Sequence, residues 1–148
     1  MTEARVTRTR NGLPLAALAL AALLSGCRSY TPNRLTVFAP GHGGDAKVEV
    51  LNSGLHDDVE LAKGHALFED QIMVAIVTVK NHVDDDEHVD FRWTWFDADG
   101  VEQRTGGTFW DQVFLKAQEE KQLVGKAPQP GAVRVQLDLR YHRDVQDR

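Results

Sequence analysis

The chain predicts an all-β fold, and three stretches carry that expectation. Residues 71–81, QIMVAIVTVKN, form a nearly continuous run rich in Val and Ile, the composition of a strand covered on both faces. Residues 133–141, VRVQLDLRY, alternate without a fault: Val133, Val135, Leu137 and Leu139 point one way, and Arg134, Gln136, Asp138 and Arg140 the other. Residues 91–100, FRWTWFDADG, place four of the eleven aromatics within six positions and end in Asp99-Gly100, a dipeptide suited to a tight hairpin. Short strands bounded by frequent turn signals describe a β-sandwich of about seven strands, of immunoglobulin-like type.

Taken in order, residues 1–26 belong to no fold. Arg5, Arg8 and Arg10 make a positive segment with only Glu3 against it, and Leu13–Leu24 is a Leu/Ala run broken only by Pro14. Such a run is too short to span a bilayer comfortably and has the pattern of a secretory signal peptide. It ends in Leu24-Ser25-Gly26-Cys27, which looks like a bacterial lipobox, so Cys27 is the expected lipidation residue. Each buried methylene contributes about 0.8 kcal/mol, and stable anchoring takes more than one acyl chain. Cys27 is the only cysteine, so the exported domain can form no disulfide within one chain. Arg28 follows it rather than an aspartate, which points to the periplasmic face of the outer membrane.

Without residues 1–26 the chain keeps 14 basic and 21 acidic side chains, a formal charge of −7. That balance argues against a nucleic-acid partner, which needs a basic footprint, and against an electrostatic grip on anionic lipid. Residues 27–46 read as a lipidated tether: they hold two prolines and the breaker Pro40-Gly41-His42-Gly43-Gly44, with room for an edge strand at Leu35–Phe38. His42, alone in that loop, is a poor metal ligand. The folded domain is therefore placed at 47–148.

Within it, KVEVLN (47–52) and DDVELAKG (57–64) are short strands, the second ending at Gly64, with LNSGLHDD (51–58) a turn between them. HVDDDEH (82–88) is a solvated hairpin tip. Val89, Phe91, Trp93 and Trp95 share a core face, and Asp90, Arg92 and Thr94 take the other. Phe96 follows Trp95 directly and escapes this scheme: a bulge turns it inward, it packs under the turn, or it stands exposed. For 109–127 a helical stripe competes with a strand, a polar turn and a second strand, and the regular strands on either side favour the latter.

The order of lipobox, tether, Val77-Thr78-Val79-Lys80-Asn81, a polar gap, the 91–100 block and a terminal alternating strand resembles the YcfL family of small periplasmic lipoproteins. The specific part is aromatic–aromatic–Asp–x–x–Gly, here Trp95-Phe96-Asp97-Ala98-Asp99-Gly100, with Trp110 and the last strand in matching places. The likeness spans roughly residues 45–141. Phe91 stands where a tyrosine is common in that family, and the acidic loop at 84–87 is longer. The resemblance implies an immunoglobulin-like sandwich in the cell envelope, with no assigned enzymatic activity and no catalytic residues.

Three constellations invite a chemical reading. Ser53, the domain's only serine, lies near His56, Asp57 and Asp58, but triad members meet across a fold and need a strained elbow and an oxyanion hole. Asp97–Glu102 lacks the spacing of a calcium loop. Asp84, Asp85, Asp86 and Glu87 offer hard oxygen ligands, yet four adjacent acids cannot all turn inward. The expectation is a non-enzymatic adaptor without cofactors, anchored through Cys27. It binds another envelope protein through Phe96 or the loop near Glu87, and not through Arg134. The alternative is a sandwich binding a small ligand or a divalent metal, with Asp84 and Asp86 at its mouth.

Overall fold

The computed structural model describes residues 30–104 and 109–143. In chain order the elements are β1 (Asn33–Phe38), β2 (Lys47–Glu49), α1 (Ser53–Asp58), β3 (Val59–Glu69), β4 (Ile72–Asn81), β5 (Glu87–Asp97), β6 (Glu102–Gln103), β7 (Asp111–Leu115), β8 (Glu120–Lys126) and β9 (Ala132–Tyr141). Setting aside β2 and β6, of three and two residues, leaves the seven strands expected. Sheet A runs β2-β1-β9-β5, with β6 and β7 also paired to β5, and sheet B runs β3-β4-β8. Every pairing is antiparallel.

The core lies between the sheets. Leu35, Val37, Val89, Trp95, Val135, Leu137 and Leu139 of sheet A meet Leu61, Met73, Ala75, Val77, Val79 and Leu123 of sheet B. On β4 the opposite face is also largely closed, with Val74 and Thr78 buried, as its unbroken apolar run requires. Trp95 is 2 % exposed. Trp93 is only half-buried, and its ring stacks on that of Trp95 at 5.9 Å. A Cβ at Gly125 would lie 2.6 Å from the Trp93 ring, so the absent side chain on β8 makes the room this indole occupies.

Five expectations are corrected. The domain does not begin at 47: β1 pairs with β9 over six residues and buries Leu35 and Val37 in the core, so what reads as tether is a central strand of sheet A. β3 does not end at Gly64 but continues to Glu69, past a bulge between Leu61 and Lys63. A Cβ at Gly64 would meet Leu35 and Val37 at 2.7 and 2.8 Å, so this glycine marks where β3 crosses β1 closely. β2 covers only Lys47–Glu49. Residues 53–58 are a helical turn, not a plain loop: the Asn52 carboxamide accepts from the Leu55 N–H as N-cap, and the buried Asn33 bonds Leu51 and Asn52. Finally, 82–86 is no hairpin tip, because β4 and β5 lie in different sheets and this loop crosses between them. Residues 109–127, by contrast, follow the strand–turn–strand reading, as β7 and β8.

The registers define two poles. Asn33, Val89, Leu115 and Tyr141 sit at one, together with α1 and the 82–86 and 116–119 connections. The 39–46, 98–101 and 127–131 connections sit at the other.

Candidate functional site

The inward face of sheet A is core, so alternation sends the neighbouring residues outward, where three strands align their charges. Arg34 on β1 lies opposite Asp138 on β9, Asp138 opposite Arg92 on β5, and Arg140 opposite Asp90. The Asp138 carboxylate is buried and receives two arginines. Arg34 donates through Nε at 2.7 Å and Nη2 at 3.2 Å, and Arg92 through Nη2 at 2.9 Å. The hydrogen bonds that Arg34 donates to Asp138 raise its guanidinium above its ordinary value against an opposing effect of burial, and the charges of Asp138 and Glu49 add to the rise. Asp90 makes the second centre, accepting from Arg140 Nε at 3.3 Å and lying 2.6 Å from His142 Nδ1.

Trp110 closes over this network. Arg140 and Arg92 both pack against its ring, with guanidinium carbons 3.9 and 4.7 Å from the ring centroid. Among the described residues the buried Arg92 Nε has no hydrogen-bond partner, and cation–π contact with the indole is its compensation. Further along the face Arg134 lies 4.3 Å over the Phe96 ring, its Nε likewise buried and unpartnered. Phe109, beside Trp110, is 79 % exposed, and Phe114 on β7 is also exposed. The carboxylates are thus spent on arginines of the same sheet, leaving guanidinium edges and rings toward solvent. Arginine and large aromatics are the residues that dominate binding hot spots, so the arrangement is suited to holding a partner.

Of the residues singled out from sequence, Cys27 lies outside the described residues. Phe96 belongs to the face, half-buried beneath Arg134, just before a register shift at Asp97. Arg134, expected to be a neutral control position, is therefore part of the same patch. Glu87 opens β5 at the opposite pole, nine residues from Phe96 and hence roughly 30 Å away at strand rise. The structure does not bring the two together.

Of the acids at 84–87, the two proposed for a ligand mouth, Asp84 and Asp86, turn their carboxylates onto the 116–119 turn. Asp86 accepts from the Ala117 N–H at 3.0 Å and Asp84 from Gln118 Nε2 at 3.1 Å. The fully buried Asn81 ties both loops, donating to the carbonyls of Asp85 and Lys116 and accepting from the Val83 N–H. Among the described residues no group of three or more His, Cys, Asp or Glu side chains is placed to hold a metal ion. Ser53 and His56 share one turn of α1, and Asp58 accepts from the Tyr141 hydroxyl at 2.6 Å. The Arg92–Trp110–Arg140 clasp escapes sequence reasoning because its members come from three strands or loops with no common local pattern. The only signal is that Arg92 and Arg140 both point outward.

A family model described as a protein of unknown function (DUF1425) matches residues 46–141. The chain is similar to the crystal structure of a DUF1425 family member from Shewanella sp. pv-4, at 24 % identity over 72 % of this chain and 95 % of that one, with a TM-score of 0.52. It is also similar to cj0090 of Campylobacter jejuni, at 14 % identity over 72 % and 97 % of the two chains, with a TM-score of 0.49. No curated protein matches. The first of these likenesses bears on the fold alone. The family match runs from the residue before β2 to the last residue of β9, well over half of the sequence, and the chain therefore belongs to the DUF1425 family.

Proposed function

We propose that this chain is a YcfL-like lipoprotein of the Gram-negative envelope, anchored at the periplasmic face of the outer membrane by lipid on Cys27 and acting as a non-enzymatic adaptor for another envelope protein. The observation that carries the adaptor reading is the outer face of sheet A, where Arg92 and Arg140 pack against the Trp110 ring near exposed Phe109 and Phe114. Rings fixed by neighbouring guanidiniums lose little freedom on binding, which lowers the cost of association. The anchor reading rests on Leu24-Ser25-Gly26-Cys27. Only residues 28–32 separate Cys27 from β1, and at ~3.3–3.6 Å per residue they reach roughly 20 Å. The partner then lies close to the membrane.

Photo-crosslinking in living cells tests the adaptor reading, with the probe placed in turn at Phe109, Phe114 and Phe96, and at exposed Phe68 of sheet B as control. These three positions are expected to trap one envelope protein that Phe68 does not. Equal trapping from both sheets, or none from sheet A, defeats it. Palmitate labelling of wild type against Cys27→Ala tests the anchor separately. Equal labelling of the two defeats that part.

A further inference from the structure

Sheet B ends at β8, and the backbone there is open. The Ala127 N–H donates to the Met73 carbonyl and the Asn81 N–H to the Glu119 carbonyl, which sets the phase of the β4–β8 ladder. Pairs Ala75–Gly125, Val77–Leu123 and Val79–Lys121 exchange the hydrogen bonds, since bonded and non-bonded pairs alternate. The N–H and C=O groups of Glu120, Gln122, Val124 and Lys126 consequently point away from β4, and no hydrogen bond among the described residues uses them. Val124 is 64 % exposed on the same strand. β3, the other edge of sheet B, is interrupted by its bulge and flanked at Gly64–Ala66 by the 39–46 loop.

The geometry points to a second copy of this chain as the occupant of the β8 edge. The strand Glu120-Lys121-Gln122-Leu123-Val124-Gly125-Lys126 is complementary to itself in the antiparallel sense. About a twofold axis through Leu123, Glu120 faces Lys126 of the second copy and Gln122 faces Val124, all on the exposed face. Leu123 meets its own copy on the core side. The residues so paired are those whose backbone groups point outward, so hydrogen-bond phase and charge select one register. A slip of two residues either way leaves neither charge opposite its complement. Charges on an edge strand commonly keep other strands away, but these two lie where the axis brings opposite signs together. Lys126 already meets Glu69 at 3.7 Å, a pair more than half exposed at both ends that leaves the ammonium free to turn. The axis stands normal to the sheet, so the two β1 strands start at opposite ends of the pair. If Cys27 is acylated as proposed above, both anchors reach one bilayer when the strands lie along its surface.

The test mixes full chains made with natural and heavy nitrogen in detergent solution and couples them with a carbodiimide, which joins carboxylates to amines already in contact. The expected result is a mixed-isotope link between Glu120 and Lys126, with a sedimentation mass that rises with concentration toward two chains. Gln122→Pro removes one outward N–H and leaves the β4 ladder intact, so it should abolish both signals with an unchanged circular dichroism spectrum. Glu120→Lys should abolish them as well, and Glu120→Lys combined with Lys126→Glu should restore them. That charge exchange decides the matter alone if Gln122→Pro fails to fold. A single-chain mass at every concentration overturns the proposal. So do a dimer indifferent to these substitutions and a link from Glu120 or Lys126 to a different protein.

Discussion

Replacing Asp138 with asparagine keeps the shape of the side chain and removes the charge on which two arginines converge. Asp138 is 1 % exposed and accepts three hydrogen bonds from Arg34 and Arg92. Breaking a buried ion pair by removing one partner costs about 3–5 kcal/mol, because the remaining charge is left uncompensated. Here the arginine side chains are 33 % and 29 % exposed and recover some hydration, which lowers the expected loss to about 2–3 kcal/mol. At about 4–8 °C per kcal/mol for a domain near this size, the melting temperature should fall by roughly 10 °C or more. Urea unfolding followed by tryptophan fluorescence should show an earlier midpoint at unchanged slope. The triple change Arg34→Met, Arg92→Met and Asp138→Leu should regain most of the loss, since no charge then stays unpaired. A loss below about 0.5 kcal/mol in Asp138→Asn, the range of ordinary surface changes, would refute the reasoning.

Trp95→Ala should cost about 3–5 kcal/mol, as expected for a large aromatic taken from a core, and a melting temperature equal to wild type would show the ring to be dispensable. Gly125→Ala should lose about 1–3 kcal/mol through overpacking and shift the tryptophan emission, because the new methyl meets the Trp93 ring; an unchanged spectrum and midpoint would count against the packing described. The Lys116 N–H bonds Glu119 Oε2 at 2.7 Å and holds this carboxyl below its ordinary value. Its stabilisation is therefore present above the unfolded-state value and lost as pH falls through the folded one. Carbon-detected titration should place the Glu119 midpoint below that of the urea-unfolded chain, and coincident midpoints would contradict this.

What could be read in the sequence was what alternation controls. The period-two patterns of 89–95 and 133–141 identify β5 and β9 and the residues each sends into the core, because one face of each must be buried whatever its neighbours are, and the unbroken apolar run of 71–81 identifies β4 as a strand covered on both faces. Partnership between strands was not legible. Asn33–Phe38 alternates like any strand, but the prolines and glycines around it read as tether. Its place beside β9 follows from a pairing across about a hundred residues. Gly64 and Gly125 look like breaks or weak points, and their reason lies in another sheet, where Leu35 with Val37 and Trp93 respectively need the space. Phe96 defeated the pattern because its partner, the Arg134 guanidinium, comes from the adjacent strand.

The same distinction explains why the acids mislead when read as motifs. Asp58, Asp84, Asp86, Asp90 and Asp138 each accept a hydrogen bond from a group distant in sequence. Asp97 instead ties its own turn, accepting from the N–H groups of Asp99 and Val101. Cys27 is the only cysteine, so no disulfide within one chain fastens these strands, and polar ties at the pole and across sheet A do part of that work. A carboxylate engaged in this way is a poor ligand for a cation, since binding would first have to release its donor. The acidic composition is consequently a larger number than the acidity offered to a ligand. On the outer face of sheet A the balance tips further, because its two buried carboxylates lie beneath guanidiniums and rings. A partner meeting that face encounters arginine and aromatic surface on a protein whose overall charge is negative, and it is this local chemistry that a binding partner must match.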